Sequence, residues 1–140
     1  NILKIYKKTL TLNKLISEES GKDLMFSYKR ASNIISNELK INKIDLTGSA
    51  DPGLFKNEFE KTLYKKIHEL KKDFISISRD GDYEGMLKTL SLVKKQLNEF
   101  FDNVIVNDQD ELIKKNRLEL LQMLCKTFDS YLNFSKVESL

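Results

Sequence analysis

Histidine and cysteine are almost missing from this chain, with one of each (His68 and Cys125) in 140 residues. A zinc site of the usual Cys/His type cannot be assembled from so few ligands. A di-iron bundle, which needs two Glu-x-x-His pairs, is excluded for the same reason. A lone cysteine forms no internal disulfide, which agrees with a reducing cytoplasm. Cys125 lies among Leu121, Met123 and Leu124 and reads as a small buried hydrophobe. His68 reads as an exposed or partly packed imidazole rather than a ligand. The chain also has no phosphate-cradling glycine loop, nucleophile elbow or dinucleotide fingerprint. Its carboxylates fall at helix caps and on exposed faces, without an isolated acid/base pair. The expectation is a non-catalytic chain with no metal and no cofactor of its own.

Breakers are scarce as well, at five Gly and one Pro, so long helices are expected. No apolar run approaches the roughly 18 residues that span a bilayer, and no signal-peptide pattern opens the chain, so no membrane partner is expected. What is present is 40% hydrophobic and 32% charged residues, which suits a soluble helical domain. At this length the whole of 1–140 reads as one domain, long enough to bury a core. The chain opens on Asn1, and apolar spacing (Ile2, Leu3, Tyr6, Leu10) starts with no capping residue ahead of it. That start reads as a piece cut from a longer polypeptide.

The net charge of +3 is unevenly placed. Residues 1–40 hold eight basic and four acidic side chains, and the remaining hundred hold 16 and 17. A basic first third suits a polyanionic partner, whereas a solvated surface is the alternative for a chain whose basic residues are mostly Lys.

Periodicity places helices over residues 2–16, 23–39, 57–78, from Tyr83 towards Phe101, and from Asp108 or Asp110 onward. The expected architecture is an all-α bundle of about five helices. The leading one, within residues 1–21, is the least distinctive and offers only Lys7 and Lys8, with Gly21 at its end. On the 23–39 helix, Leu24, Tyr28, Ala31 and Ile35 fall within roughly 60° of arc at 100° per residue. Lys29, Arg30 and Asn33 fall nearly opposite. Cations neutralise phosphate, and Arg and Asn can also read base edges; an ordinary solvated face is the competing reading. The 57–78 helix keeps a seam of Phe59, Leu63, Ile67, Leu70, Phe74 and Ile77. Between these helices lie turn and cap residues, including Gly48, Ser49, Asp51 and Pro52. Arg79-Asp80-Gly81-Asp82 is expected to turn into the next helix, which buries Tyr83, Leu87, Leu90, Val93 and Leu97. The last helix buries Ile113, Leu120, Leu121, Leu124, Phe128 and Tyr131. Arg117 points into the middle of that stripe, so it must be paired, and Asp102 is the expected partner.

Several motifs run together here. Phe100-Phe101-Asp102-x-Val104 is followed by an acidic turn, by Glu111-Leu112-Ile113-Lys114 and by Asn116-Arg117-Leu118. Upstream stand Lys29-Arg30-x-x-Asn33-Ile34 and Asp51-Pro52-x-Leu54-Phe55. This grammar resembles the C-terminal, DALR-type anticodon-binding domain of the bacterial glycyl-tRNA synthetase β subunit, over about residues 22–140. The resemblance implies tRNA for glycine as partner and a cytoplasmic location. It also implies a catalytic α subunit in an α2β2 parent enzyme that uses ATP, glycine and magnesium at a site elsewhere. Neither DNA nor a membrane is implied. Within that reading Lys7, Lys8 and Lys29 neutralise phosphates. Asn33 accepts from cytosine amines, since glycine anticodons end in two cytosines. Arg30 stacks or holds phosphate, and Asn116 is a second acceptor. Two alternatives stay open: a DALR-type domain of another synthetase, arginyl or cysteinyl, and a helical protein-interaction module without RNA.

Overall fold

The computed structural model describes residues 19–80 and 83–132. They form four α-helices: α1 (Glu19–Ile41), α2 (Glu58–Asp80), α3 (Tyr83–Asn103) and α4 (Glu111–Leu132), with a 3₁₀ turn at Pro52–Leu54. The bundle is all-α among the described residues, as the periodicity predicts. The leading helix at 2–16, with Lys7 and Lys8, lies outside them, as do the Gly81-Asp82 turn and the side chains of Ile77, Tyr83, Leu87, Leu90 and Tyr131. Gly21 does not end a helix but sits inside the first turns of α1.

α1 forms because it holds no proline and carries a continuous apolar seam, whose burial outweighs the helix-weakening Gly21 and the β-branched pair Ile34-Ile35. Leu24, Tyr28, Ala31 and Ile35 are all buried. The helix ends where the N–H groups of Asn42 and Ile44 converge on the Glu38 carbonyl and Lys43 takes a left-handed conformation (φ 51). α2 starts at Asn57, whose Oδ1 accepts the Glu60 N–H at 3.0 Å while Glu60 Oε1 accepts from the Lys56 N–H. This exchange satisfies donors the helix itself leaves open. Leu63, Ile67, Leu70 and Phe74 of α2 meet Val93, Leu97 and Phe100 of α3 in the core. His68 is exposed, edge-on to Tyr64 at 4.5 Å between centroids.

α4 is the central element. Asp110 caps it, its Oδ1 accepting from the N–H groups of Leu112 and Ile113, while Asp108 accepts from the Asp110 N–H. Leu118, Leu120, Leu121, Leu124 and Phe128 are fully buried, and Cys125 is buried as expected. Phe128 stacks on Tyr28 (6.1 Å, 19°), and the Tyr28 hydroxyl donates to Asp129 at 2.6 Å.

A helix buried this far round must satisfy its polar side chains internally. The 42–57 loop does much of that. Glu119 accepts the N–H groups of Thr47 and Gly48 and the Thr47 hydroxyl. Asn116 accepts from the Asp51 N–H at 2.7 Å and donates to the Asp51 carbonyl at 3.0 Å. Ala50 N–H donates to Met123 Sδ. Asn116, Glu119 and Met123 fall at helical spacing on one face, and the loop is laced along it.

Arg117 is buried in the core and paired, as expected, but its partner is not Asp102. Nη2 meets Glu60 at 3.3 Å, Nη1 meets Asp108 at 3.3 Å, and Nη1 also donates to the Ile105 carbonyl at 2.6 Å. Asp102 is exposed. The reason is local: Phe100 and Val104 both point inward, which turns the intervening Asp102 outward. The chain then doubles back so that Ile105 and Asp108 cover the guanidinium.

Candidate nucleic-acid interface

With its seam buried, α1 leaves one face to solvent. Lys22, Phe26, Lys29, Arg30, Asn33, Asn37 and Lys40 are all exposed. At 100° per residue they share an arc of roughly 100° directly opposite the core seam. Four of the seven are cations and none is a carboxylate. The stripe is bordered on one side by contacts to α3, where Ser27 donates to Asn98 at 2.6 Å and Lys94 pairs with Asp23 at 3.4 Å. These contacts fix the rotation of α1, so the cationic face is set by packing on its flanks as well as beneath it.

Arg30 is placed by a ring. Its guanidinium carbon lies 4.3 Å from the centroid of Phe101 at the end of α3, and Phe101 in turn packs edge-on against Phe100. Phe100 fills the core while its neighbour Phe101 supports the arginine from below. The ring face attracts the cation and limits where the guanidinium can lie. Asn33, one turn on, is exposed. Lys29 flanks it.

Three predicted residues are thus brought together: Lys29, Arg30 and Asn33. Asn116 is not one of them. It is 4% exposed, and its side chain is committed through both amide atoms to Asp51, so it secures the loop instead of facing a ligand. Asn33 and Asn116 are alike as letters; burial of α4 separates their roles.

Sequence reasoning passed over Phe26, whose ring is 71% exposed in the middle of the cationic stripe. Its position, four residues after Lys22 and three before Lys29, already put it on that face. An exposed aromatic among cations is the combination that single-stranded nucleic acids use for stacking.

Further along α1, Glu38 pairs with Lys114 at 3.1 Å and accepts from Asn42 at 2.6 Å. Desolvation alone would raise the Glu38 pKa, but the hydrogen bonds from Asn42 and Lys114 and the Lys114 charge together hold it below the usual value. The ion pair ties the end of α1 to the start of α4. It also keeps that carboxylate turned away from the cationic stripe.

Residues 24–140 match the DALR anticodon binding domain family. The chain belongs to the DALR anticodon-binding domain family. Among its relatives are glycine–tRNA ligase beta subunits of Rickettsia prowazekii (strain Madrid E) and Rickettsia typhi, each 37% identical over 98% of this chain. The subunit from Rickettsia peacockii is 36% identical over the same share. In each case the match occupies 20% of the relative, so this DALR domain spans about a fifth of the length of those proteins. Among the described residues no group of His, Cys, Asp and Glu is placed to hold a metal, and no helix is long and apolar enough to cross a membrane.

Proposed function

We propose that this DALR domain grips the anticodon loop of glycine tRNA, as the non-catalytic C-terminal part of a glycine–tRNA ligase β subunit. The observation that carries the reading is the exposed stripe of α1, where Lys29, Arg30 and Asn33 stand together with no carboxylate among them. Family membership supports the anticodon as target, and the names of the relatives favour glycine over the arginyl and cysteinyl alternatives.

Anticodon bases are single-stranded and can be splayed out and read on their pairing edges. Lys29 and the neighbouring lysines neutralise backbone phosphate, which makes affinity fall as salt rises. The Asn33 amide oxygen accepts from a cytosine N4 amine, and Arg30, held on Phe101, stacks on a base or binds phosphate. Lys7 and Lys8, outside the described residues, neutralise further phosphates in this proposal. Attachment of glycine, with ATP and magnesium, belongs to a catalytic α subunit that would join β chains in the cytoplasm as α2β2.

Binding of anticodon stem-loops from several tRNAs tests the reading. The 140-residue chain is expected to prefer the glycine stem-loop, and Arg30→Ala and Asn33→Ala are each expected to weaken it about tenfold or more, at roughly 1–3 kcal/mol per base contact. Equal affinity for all stem-loops and for both variants, with folding intact, would remove α1 from the mechanism.

A further inference from the structure

The cationic stripe of α1 does not stop at its own edge. On the side facing α4 it passes Ser36 and Ser32 into a groove of about 310 Å³, whose far wall is Gln122, Cys125, Lys126 and Asp129. Lys126 also lines a second cleft, of about 180 Å³, with Gly48, Thr127, Ser130 and Lys71 of α2. One lysine therefore joins two hollows that would otherwise be separate.

The second cleft is shaped by the loop. Gly48 takes a left-handed conformation (φ 87) with its N–H fixed on Glu119, and Lys126 Nζ lies 3.1 Å from where a Cβ at that position would stand. A Cβ there would press on the ammonium group, which would have to shift by a few tenths of an ångström. Neither Lys71 nor Lys126 has a carboxylate partner among the described residues. Of the nearby acids, Glu119 is buried and accepts three hydrogen bonds from Thr47 and Gly48, while Asp129, in the groove wall, accepts from the Tyr28 hydroxyl and is the one acidic side chain of that wall. Two lysines without a carboxylate partner among the described residues thus line one cleft together with Ser130, a lining whose charge suits an anion. The Thr127 hydroxyl is not available to it, because it donates to the Met123 carbonyl.

We propose that the α1/α4 groove and the Gly48 cleft carry the phosphodiester backbone of the same RNA strand whose bases meet α1, with Lys126 and Lys71 as its cationic contacts. The inference rests on the tRNA reading above and adds a division of labour to it. α1 reads bases, while the α4 and α2 lysines hold the strand without regard to sequence.

The test is the salt dependence of stem-loop binding by the 140-residue chain and by a K71Q/K126Q variant, using a glycine stem-loop and one with a permuted anticodon. A K65Q/K95Q variant, which removes the same charge from exposed positions on the outer faces of α2 and α3, is the control. Losing two phosphate contacts is expected to reduce the slope of log affinity against log salt by about 1.4, at about 0.7 per single-strand contact. Affinity is expected to drop by the same factor for both stem-loops, because phosphate contacts carry no base information. The control is expected to change the slope much less. An unchanged slope in K71Q/K126Q, or an equal loss in K65Q/K95Q, would overturn the backbone track while leaving base reading by α1 intact. If the unmodified chain binds neither stem-loop, the tRNA reading falls and the track falls with it.

Discussion

At residue scale, Arg117 shows how a charge is accommodated inside a helical core. Its guanidinium receives Glu60 from the first turn of α2, and Asp108 and the Ile105 carbonyl from the turn before α4. Glu60 is wholly buried, so removing its partner strands a carboxylate without compensation. Arg117→Ala is expected to lower stability by about 3–5 kcal/mol in urea unfolding, whereas Asp102→Ala should change it by less than about 0.5 kcal/mol. Equal effects at the two positions would contradict the pairing. That Arg117 needed a partner was legible from its place in an apolar stripe. Which carboxylate it finds was not, because Glu60 lies 57 residues away and only tertiary packing brings it there. Glu38 gives a second expectation. Its folded pKa is depressed, so its contribution is fully present above the unfolded value of about 4.3 and is lost as pH falls through the lower folded value. Unfolding free energies measured from pH 6 to pH 3 should therefore fall more steeply for the native chain than for Glu38→Gln. Parallel curves would mean the carboxylate gains nothing from Lys114 and Asn42.

At the scale of elements, α4 and the 42–57 loop act as one piece. The loop has few apolar anchors, and what holds it down is a row of polar groups on α4: Asn116, Glu119 and the sulfur of Met123. Glu119→Ala leaves two backbone N–H groups and a hydroxyl without their acceptor, at a cost of about 1–3 kcal/mol. Hydrogen exchange should show faster exchange at Thr47 and Gly48, with the buried amides of α1 and α4 much less affected. Uniform loss of protection across the chain would mean that the loop is not a separate unit. Gly48→Ala should also destabilise, by about 1–2 kcal/mol, since an L side chain is strained at that φ and meets Lys126. The helices themselves were readable because apolar spacing repeats over 20 or so residues at a time. The lacing was not, since Asn116 and Glu119 look like ordinary solvated positions until the loop is laid over them. The buried face of α4 is wider than its apolar stripe for that reason.

At the scale of the whole molecule, packing beneath α1 and contacts along its flank present one cationic face, and Phe101 steadies its arginine. The alternation of Lys29, Arg30 and Asn33 against Leu24, Tyr28, Ala31 and Ile35 made that face visible in sequence. Phe26 was not singled out because its letter alone does not say whether the ring packs inward or faces solvent, and the Lys126–Lys71 cleft could not be seen because its walls come from three separate elements. The central claim is that Asn33 accepts a hydrogen bond from an anticodon cytosine. A double-mutant cycle tests it most directly, combining Asn33→Ala with cytosine-to-uracil replacement at each of the last two anticodon positions, which turns an amine donor into a carbonyl acceptor. At one of those positions the two changes are predicted to be strongly non-additive, with a coupling of about 1–3 kcal/mol. Additive penalties at both positions would show that Asn33 does not read the anticodon.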